Sequence, residues 1–402
     1  MTTASAELGR ARFTLRREPM FPLWSIFGVA AVVAILATYP LYGTEYVMNL
    51  LGMFVCFSIF ALSISLIWGF AGILSLGQAI YFGMGAYFIA LSLKLSYAAE
   101  NPTRYGGTIP DYMEWNGLTE VPAIMAPLMH IEVAIVCLLF FPTLLAFIFG
   151  VITFKRHIYG VYCAVITLAE ALILQEFIIE YQAYTGGFNG ITDYETYNNM
   201  YFLWVILAVA VLLFGTSRLL THSRIGTVLK SVRDNDVRAE FNGYEVANYR
   251  IFVFCFASMM AAIAGGLYAA WMGIVSHLDT GPILSIEGVI WAAVGGRATV
   301  IGPFIGTFLV KGAEFFLSQQ LAWAWQLVMG LLFIFVVKFM PEGIMGTIGK
   351  SIAMGRQRRA YAESQDAYQS GPMAVVARLR AAFTDGNRGF MDNLLGRSGR
   401  RD

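Results

Sequence analysis

The chain has 402 residues, 58% of them hydrophobic and only 13% charged, with a formal net charge of +1. That balance describes a chain built to lie in lipid and excludes an ordinary soluble domain. A net charge so near zero identifies no partner, and no nucleic-acid partner is expected.

Residues 1–22 are polar and read as a cytoplasmic N-terminal segment. Apolar runs of spanning length follow at 23–39, 46–68, 75–93, 131–154, 158–180, 201–218, 251–273, 283–297, 300–318 and 323–341. The first lacks a small-residue cleavage site and follows a long polar stretch, so it reads as a span rather than a signal peptide. The eighth is short and ends at Arg297. The expected fold is therefore an all-α polytopic membrane protein of about ten transmembrane helices, with a transmembrane domain over 23–345 and a basic cytoplasmic tail over 346–402. Lys and Arg number four in 1–22, two in 155–157, five in 219–250 and ten in 342–402. The opposite loops hold only Lys94 and Arg104. That asymmetry puts both termini in the cytoplasm.

One interrupted-helix pattern occurs twice, about 223 residues apart. The first copy is Ser63–Gly77 (SISLIWGFAGILSLG) and the second Ser285–Gly302 (SIEGVIWAAVGGRATVIG). Each has a Ser-Ile start, a Trp (Trp68, Trp291), glycines (Gly72; Gly295, Gly296), a hydroxyl (Ser75, Thr299) and a further glycine. Unwound backbone at membrane depth is tolerated only beside a cavity or inside protein, so paired Gly-broken segments in two related halves point to a transport path. The plainer explanation is that glycines let helices pack closely.

The fifth span, 158–180, bears Glu170, Gln175 and Glu176. Intramembrane carboxylates usually face a bundle interior or a cavity. The outer loop that follows holds Thr185–Thr192 (TGGFNGIT), with Asn189. Lys311 and Glu314 are one helical turn apart and are expected to pair.

The polar segment 219–250 is the sizeable cytoplasmic loop between spans. Ser231-Val-Arg-Asp234 matches a capping box, and Gly243 stands where a helix ends in a left-handed residue. A surface helix over 232–242 is expected, with Val232, Val237 and Phe241 as apolar groups for another protein. The four cysteines stand singly in apolar runs and read as inert thiols, with no metal spacing. Gly343–Ser351 approximates a phosphate loop but places Ile344 where the first glycine belongs, and it follows a span instead of a strand. In the tail, 373–383 is able to lie on the anionic inner leaflet as an amphipathic helix, membrane lipid being its partner; a disordered tail fits equally.

Gly69–Tyr87 (GFAGILSLGQAIYFGMGAY), Ser231–Tyr244 (SVRDNDVRAEFNGY) and Ala261–Ala269 (AAIAGGLYA) resemble the signatures of ABC importer permeases for branched-chain amino acids and related solutes. The resemblance covers about 45–345. Thr185–Thr192 and Ser285–Arg297 make the chain most similar to the second permease subunit of urea importers. One departure is Leu168, where the urea-type pattern carries an amide.

The resemblance implies a complex of this chain, a second related permease, two ATPase subunits that use ATP and Mg, and a periplasmic binding protein, in a bacterial inner membrane. It implies no catalysis and no cofactor on this chain. The coupling helix would lie within 224–247 and meet the ATPase through Arg233, Asp234, Val237, Arg238, Glu240, Phe241 and Gly243. Candidate path residues are Trp68, Ser75, Gln78, Asn189, Glu287, Trp291 and Thr299. Their uncharged groups suit urea, with a short-chain amide as an alternative solute; a zwitterionic amino acid, such as a branched-chain one, would favour Glu170 or Glu287. A secondary carrier or channel would share the repeats without needing the docking helix, and a scaffold would not need polar groups at the breaks.

Overall fold

A computed structural model describes residues 38, 44–101, 109–320, 325–339 and 343–347. Compactness divides the chain after Gly346, and the architecture below is that of the first unit. The expected first span, the N-terminal segment and the tail helix at 373–383 lie outside the described residues.

Among the described residues, nine long helices carry the membrane domain. They are α1 (Glu45–Ser65, prolonged by a π turn over Leu66–Phe70), α2 (Gln78–Glu100), α4 (Ile131–Phe154), α5 (Val161–Glu180), α7 (Met200–His222), α10 (Val246–Met272), α11 (Pro282–Gly295), α12 (Gly302–Gln320) and α13 (Trp325–Phe339). Short helices lie between them: α3 (Asp111–Trp115) between α2 and α4, α6 (Gln182–Thr185) after α5, and α8 (Arg224–Asp234) and α9 (Asp236–Phe241) in the loop between α7 and α10. Among the described residues there is no strand, only an isolated bridge between Ile191 and Val275.

Among the described residues, six helices are long and apolar enough to span a bilayer, and they differ in setting. The most apolar stretches of α1 and α2 are 83% buried and that of α10 is 67% buried. The corresponding figures for α4, α5 and α7 are 22%, 28% and 33%, with Phe140, Phe147, Ile173 and Leu212 turned outward. So α1, α2 and α10 form the centre, and α4, α5 and α7 wrap it with apolar faces turned outward. Small residues let the centre close. A side chain at Gly265 of α10 would meet the Phe82 carbonyl of α2, and one at Gly85 of α2 would meet the Ala262 carbonyl of α10. Each helix presents its glycine to the other's backbone, so packing is by direct van der Waals approach. Around this seam lie Phe60, Phe82, Phe254 and Trp271, all fully buried. The Trp271 indole donates to the Asn49 carbonyl at 2.9 Å, which ties α10 to α1.

The two halves repeat one motif: a helix, a glycine break, a second helix. The first is α1, break 71–77, α2; the second is α11, break 296–301, α12. α11 has 14 residues, as the short eighth run anticipates.

The loop between α7 and α10 differs from expectation. Ser231 does not cap a helix; its hydroxyl donates back to Thr227 inside α8 at 3.1 Å. The caps are Ser223, which accepts from the Gly226 amide at 3.3 Å, and Asn235, which accepts from the Arg238 amide at 2.9 Å. Asn235 breaks the expected single helix in two because its side chain replaces the missing intrahelical partner of α9. Val232, expected on the docking face, is instead buried against Val228, Ala239 and Val246.

Candidate functional site: the junction of the two helix breaks

The site is assembled from backbone that leaves the helix. After the π turn, Gly72 takes a φ of +75°, and the chain returns through Ser75 to start α2 at Gln78. In the second half Gly296 takes a φ of +124°, and Thr299 restarts the chain toward α12. The Thr299 hydroxyl donates to the Gly296 carbonyl at 2.8 Å and accepts from the Gly302 amide at 3.1 Å. Ser75 plays the corresponding part in the first half, accepting from the Gly77 amide at 3.4 Å. The hydroxyl of each repeat thus satisfies backbone freed by its own break.

The two breaks meet. Ser65 donates to the Arg297 carbonyl at 2.7 Å and lies 3.3 Å from that of Thr299. A side-chain carbon on Gly69 would stand only 1.6 Å from the Arg297 carbonyl oxygen, so only glycine fits. The Arg297 guanidinium covers the half-buried Trp68 ring at 4.8 Å.

Deeper in the domain, the two Ser-Ile starts converge on the first turn of α2. Ser285 accepts from the Ala79 amide at 2.9 Å, and Gln78 donates to Ser63 at 3.4 Å. Thr167 of α5 accepts from the Leu76 amide at 3.0 Å. Gln78 is fully buried, and its carbonyl oxygen has no partner. Also without a hydrogen-bond partner are Tyr81 Oη, one turn along α2, Ser258 Oγ on α10 and Glu170 Oε2 on α5. Uncharged hydrogen-bonding groups therefore dominate this depth.

The other candidates stand apart. Trp291 is fully buried, with Phe57 5.1 Å and Phe60 6.3 Å away. Glu287 is paired with Lys311 at 3.0 Å, and Lys311 also pairs with Glu314 at 2.9 Å, as their spacing predicts. Asn189 lies on the loop between α6 and α7, lining a polar cavity of about 250 Å³ with Lys94, Asp111 and Gln182. That loop is held to the turn after α10: Ile191 and Val275 exchange backbone bonds of 2.8 and 3.1 Å. In the same turn Asp279 accepts from the Ser276 amide at 2.8 Å, while burial pushes its carboxyl up to about 6.

From the loop between α7 and α10, α8 reaches the junction. Arg233 donates to the Gly69 carbonyl at 2.7 Å and pairs with Asp234 at 2.9 Å. Its side chain also lies against Gly72. Lys230 stands 5.6 Å over Phe70; burial, with Arg233 nearby, lowers its pKa. α9 is anchored by Asp236 to Arg250 at 3.5 Å, and that guanidinium covers Tyr159 at 3.9 Å. Phe241 is 88% exposed and Val237 57%, beside exposed Arg238. Glu240 faces His157 at 4.0 Å. Gly243 ends the motif at a φ of +84°.

A family model described as branched-chain amino acid transport system, permease component, matches residues 46–337, which contain both breaks and the α8–α9 loop. The chain belongs to this permease family. The permease is 21% identical over 313 residues to a probable branched-chain amino acid transport permease LivM of Methanocaldococcus jannaschii, covering 71% of this chain and 89% of that one. Over 352 residues it is 22% identical to the high-affinity branched-chain amino acid permease LivM of Salmonella typhimurium, covering 78% and 73%. Over 172 residues it is 28% identical to the autoinducer 2 import permease LsrC of Klebsiella pneumoniae, covering 41% and 45%. No solved structure matches the permease.

Ser65 and Arg297 escaped the sequence reading as junction residues. The signal was present: Ser65 and Glu287 hold the same offset in the two repeats, which marks that position as polar in both.

Proposed function

We propose that this permease forms one half of the translocation path of an ATP-driven importer, and that its solute is a small neutral hydrogen-bonding molecule, urea foremost. The observation that carries the reading is the group at the first turn of α2. Gln78, Ser63 and Ser285 offer an amide and two hydroxyls without fixed charge, and the Gln78 carbonyl is buried with no partner. Moving an amide out of water without replacement bonds costs roughly 2–7 kcal/mol, so a urea path needs such groups. Ser75 and Thr299 extend the same chemistry to the two breaks.

The assembly we infer has a second related permease, two ATPase subunits that bind ATP and Mg, and a periplasmic binding protein. It sits in an inner membrane with both termini of this chain cytoplasmic, and this chain itself carries neither cofactor nor catalysis. α9 offers Phe241 and Val237 to the ATPase. Arg233 then relays motion of α8 to the first break through its bond to Gly69. ATP-driven switching requires a contact that differs between the outward-open and inward-open states, and this bond is our candidate.

A second reading, branched-chain amino acids, draws support from the names of the relatives. Uptake by the reconstituted complex separates the two. ATP-dependent accumulation of labelled urea, indifferent to excess leucine and reduced about tenfold or more by Gln78→Leu, is the expected result. Leucine uptake without urea uptake refutes the solute and leaves the permease reading standing.

A further inference from the structure

Glu287, Lys311 and Glu314 form a cluster that the break junction does not use. Lys311 of α12 donates to Glu287 of α11 at 3.0 Å and pairs with Glu314 at 2.9 Å. Its ammonium also lies 5.0 Å from the Trp291 ring and 5.1 Å from that of Phe57. Formal charges leave one negative charge over, since two carboxylates share one ammonium. The Glu314 oxygen nearest the ammonium accepts no well-directed hydrogen bond and is shielded from solvent. Neither Lys311 nor Glu314 lies in an end turn of α12, so the surplus sits inside the membrane domain, where an uncompensated charge is strongly disfavoured.

The cluster opens to the molecular surface: the Glu287 and Glu314 side chains are 19% and 20% exposed. On α11, Ile283, Ile286 and Glu287 share one face by their three- and four-residue spacing, and the two isoleucines are 58% and 41% exposed. α11 itself has 14 residues, about 21 Å at 1.5 Å per residue, which falls short of a hydrocarbon core of about 30 Å. At least one end of it lies at membrane depth, where lipid offers nothing to free backbone groups.

We propose that the α11–α12 face bearing Glu287 and Glu314 is the docking surface for the second permease subunit, which brings a cationic side chain to this cluster. The proposal rests on the reading that two permease subunits pair. Acyl chains cannot neutralise the charge and anionic headgroups would repel it, while a cytoplasmic ATPase does not reach this depth.

The test uses the whole transporter, purified through a tag on this chain. A photo-crosslinking benzoylphenylalanine replaces Ile286 or, as a lipid-facing contrast on α4, Phe147. Adducts at 286 are expected to contain the second permease and those at 147 only lipid, identified by mass spectrometry. Only lipid at 286, or subunit adducts from 147 alone, overturns the surface assignment. Absence of any second permease from the purified complex overturns the pairing itself. Glu314→Gln supplies an independent measurement, because it leaves the neutral Lys311–Glu287 pair intact. Retention of the second subunit through a salt wash should fall about tenfold or more, with the melting curve of this chain not lowered. Wild-type retention overturns the proposed charge contact.

Discussion

Replacing Gly69 by alanine tests whether the two breaks are one mechanical unit. The new methyl would lie 1.6 Å from the Arg297 carbonyl oxygen and 2.5 Å from its carbon, both backbone atoms with no free rotor to swing aside. An ordinary contact needs 3.4 Å or more, so the breaks must part by about 1.8 Å. That movement carries the Ser65–Arg297 bond, now 2.7 Å, out of hydrogen-bonding range. Overpacking of this kind costs about 1–3 kcal/mol and the lost bond about 1 more, roughly 2–4 kcal/mol together. Gly215→Ala is the control, because nothing lies within 4 Å of the side chain it would add. The assay is the melting temperature of the purified complex together with passive solute leak from proteoliposomes. Gly69→Ala should melt lower and leak, whereas Gly215→Ala should do neither. Indistinguishable behaviour of the two variants would refute the idea that the two breaks form one tightly closed unit.

Three further outcomes are expected. Arg233→Gln removes a charged donor to the Gly69 carbonyl, worth about 1.5–3 kcal/mol before discounting for its one-third exposure, so ATP consumed per solute moved should rise; an unchanged ratio would sink the relay. Phe241→Asp alters a side chain that is 88% exposed, so stability should change by under about 0.5 kcal/mol while solute-stimulated ATP hydrolysis is lost, as measured in the assembled complex. Asp279 has its folded pKa raised to about 6 from an ordinary 3.8, so the folded state holds the proton more tightly. Its contribution to stability is therefore full below about pH 4 and declines as pH rises to about 6, and Asp279→Asn should remove that slope from melting curves taken across this window.

The long helices were legible because runs of spanning length can do little else in lipid, and the breaks because residue types recur in order. The Lys311–Glu314 pair was legible from spacing alone. The loop between α7 and α10 was misread for a local reason. Ser231 and Asn235 both stand within capping reach of an amide further along the chain, and the sequence does not rank them. Burial of Val232 in the packed corner of α8 decides the matter, since it holds Ser231 inside the helix and leaves Asn235 at the turn. The junction was legible only in halves. Ser65 meets Arg297 across 232 residues and Ala79 meets Ser285 across 206, and no local pattern records a contact between distant segments.

That last separation bears on how the chain is made. The first turn of α2 is capped by Ser285, which the ribosome adds 206 residues after Ala79. At about 5–20 residues per second, the start of α2 waits roughly 10–40 s for its cap. During that interval the Ala79 amide lies bare at a depth where lipid cannot serve it. The first half of the protein therefore enters the bilayer unfinished, and it is completed only when synthesis reaches the second repeat.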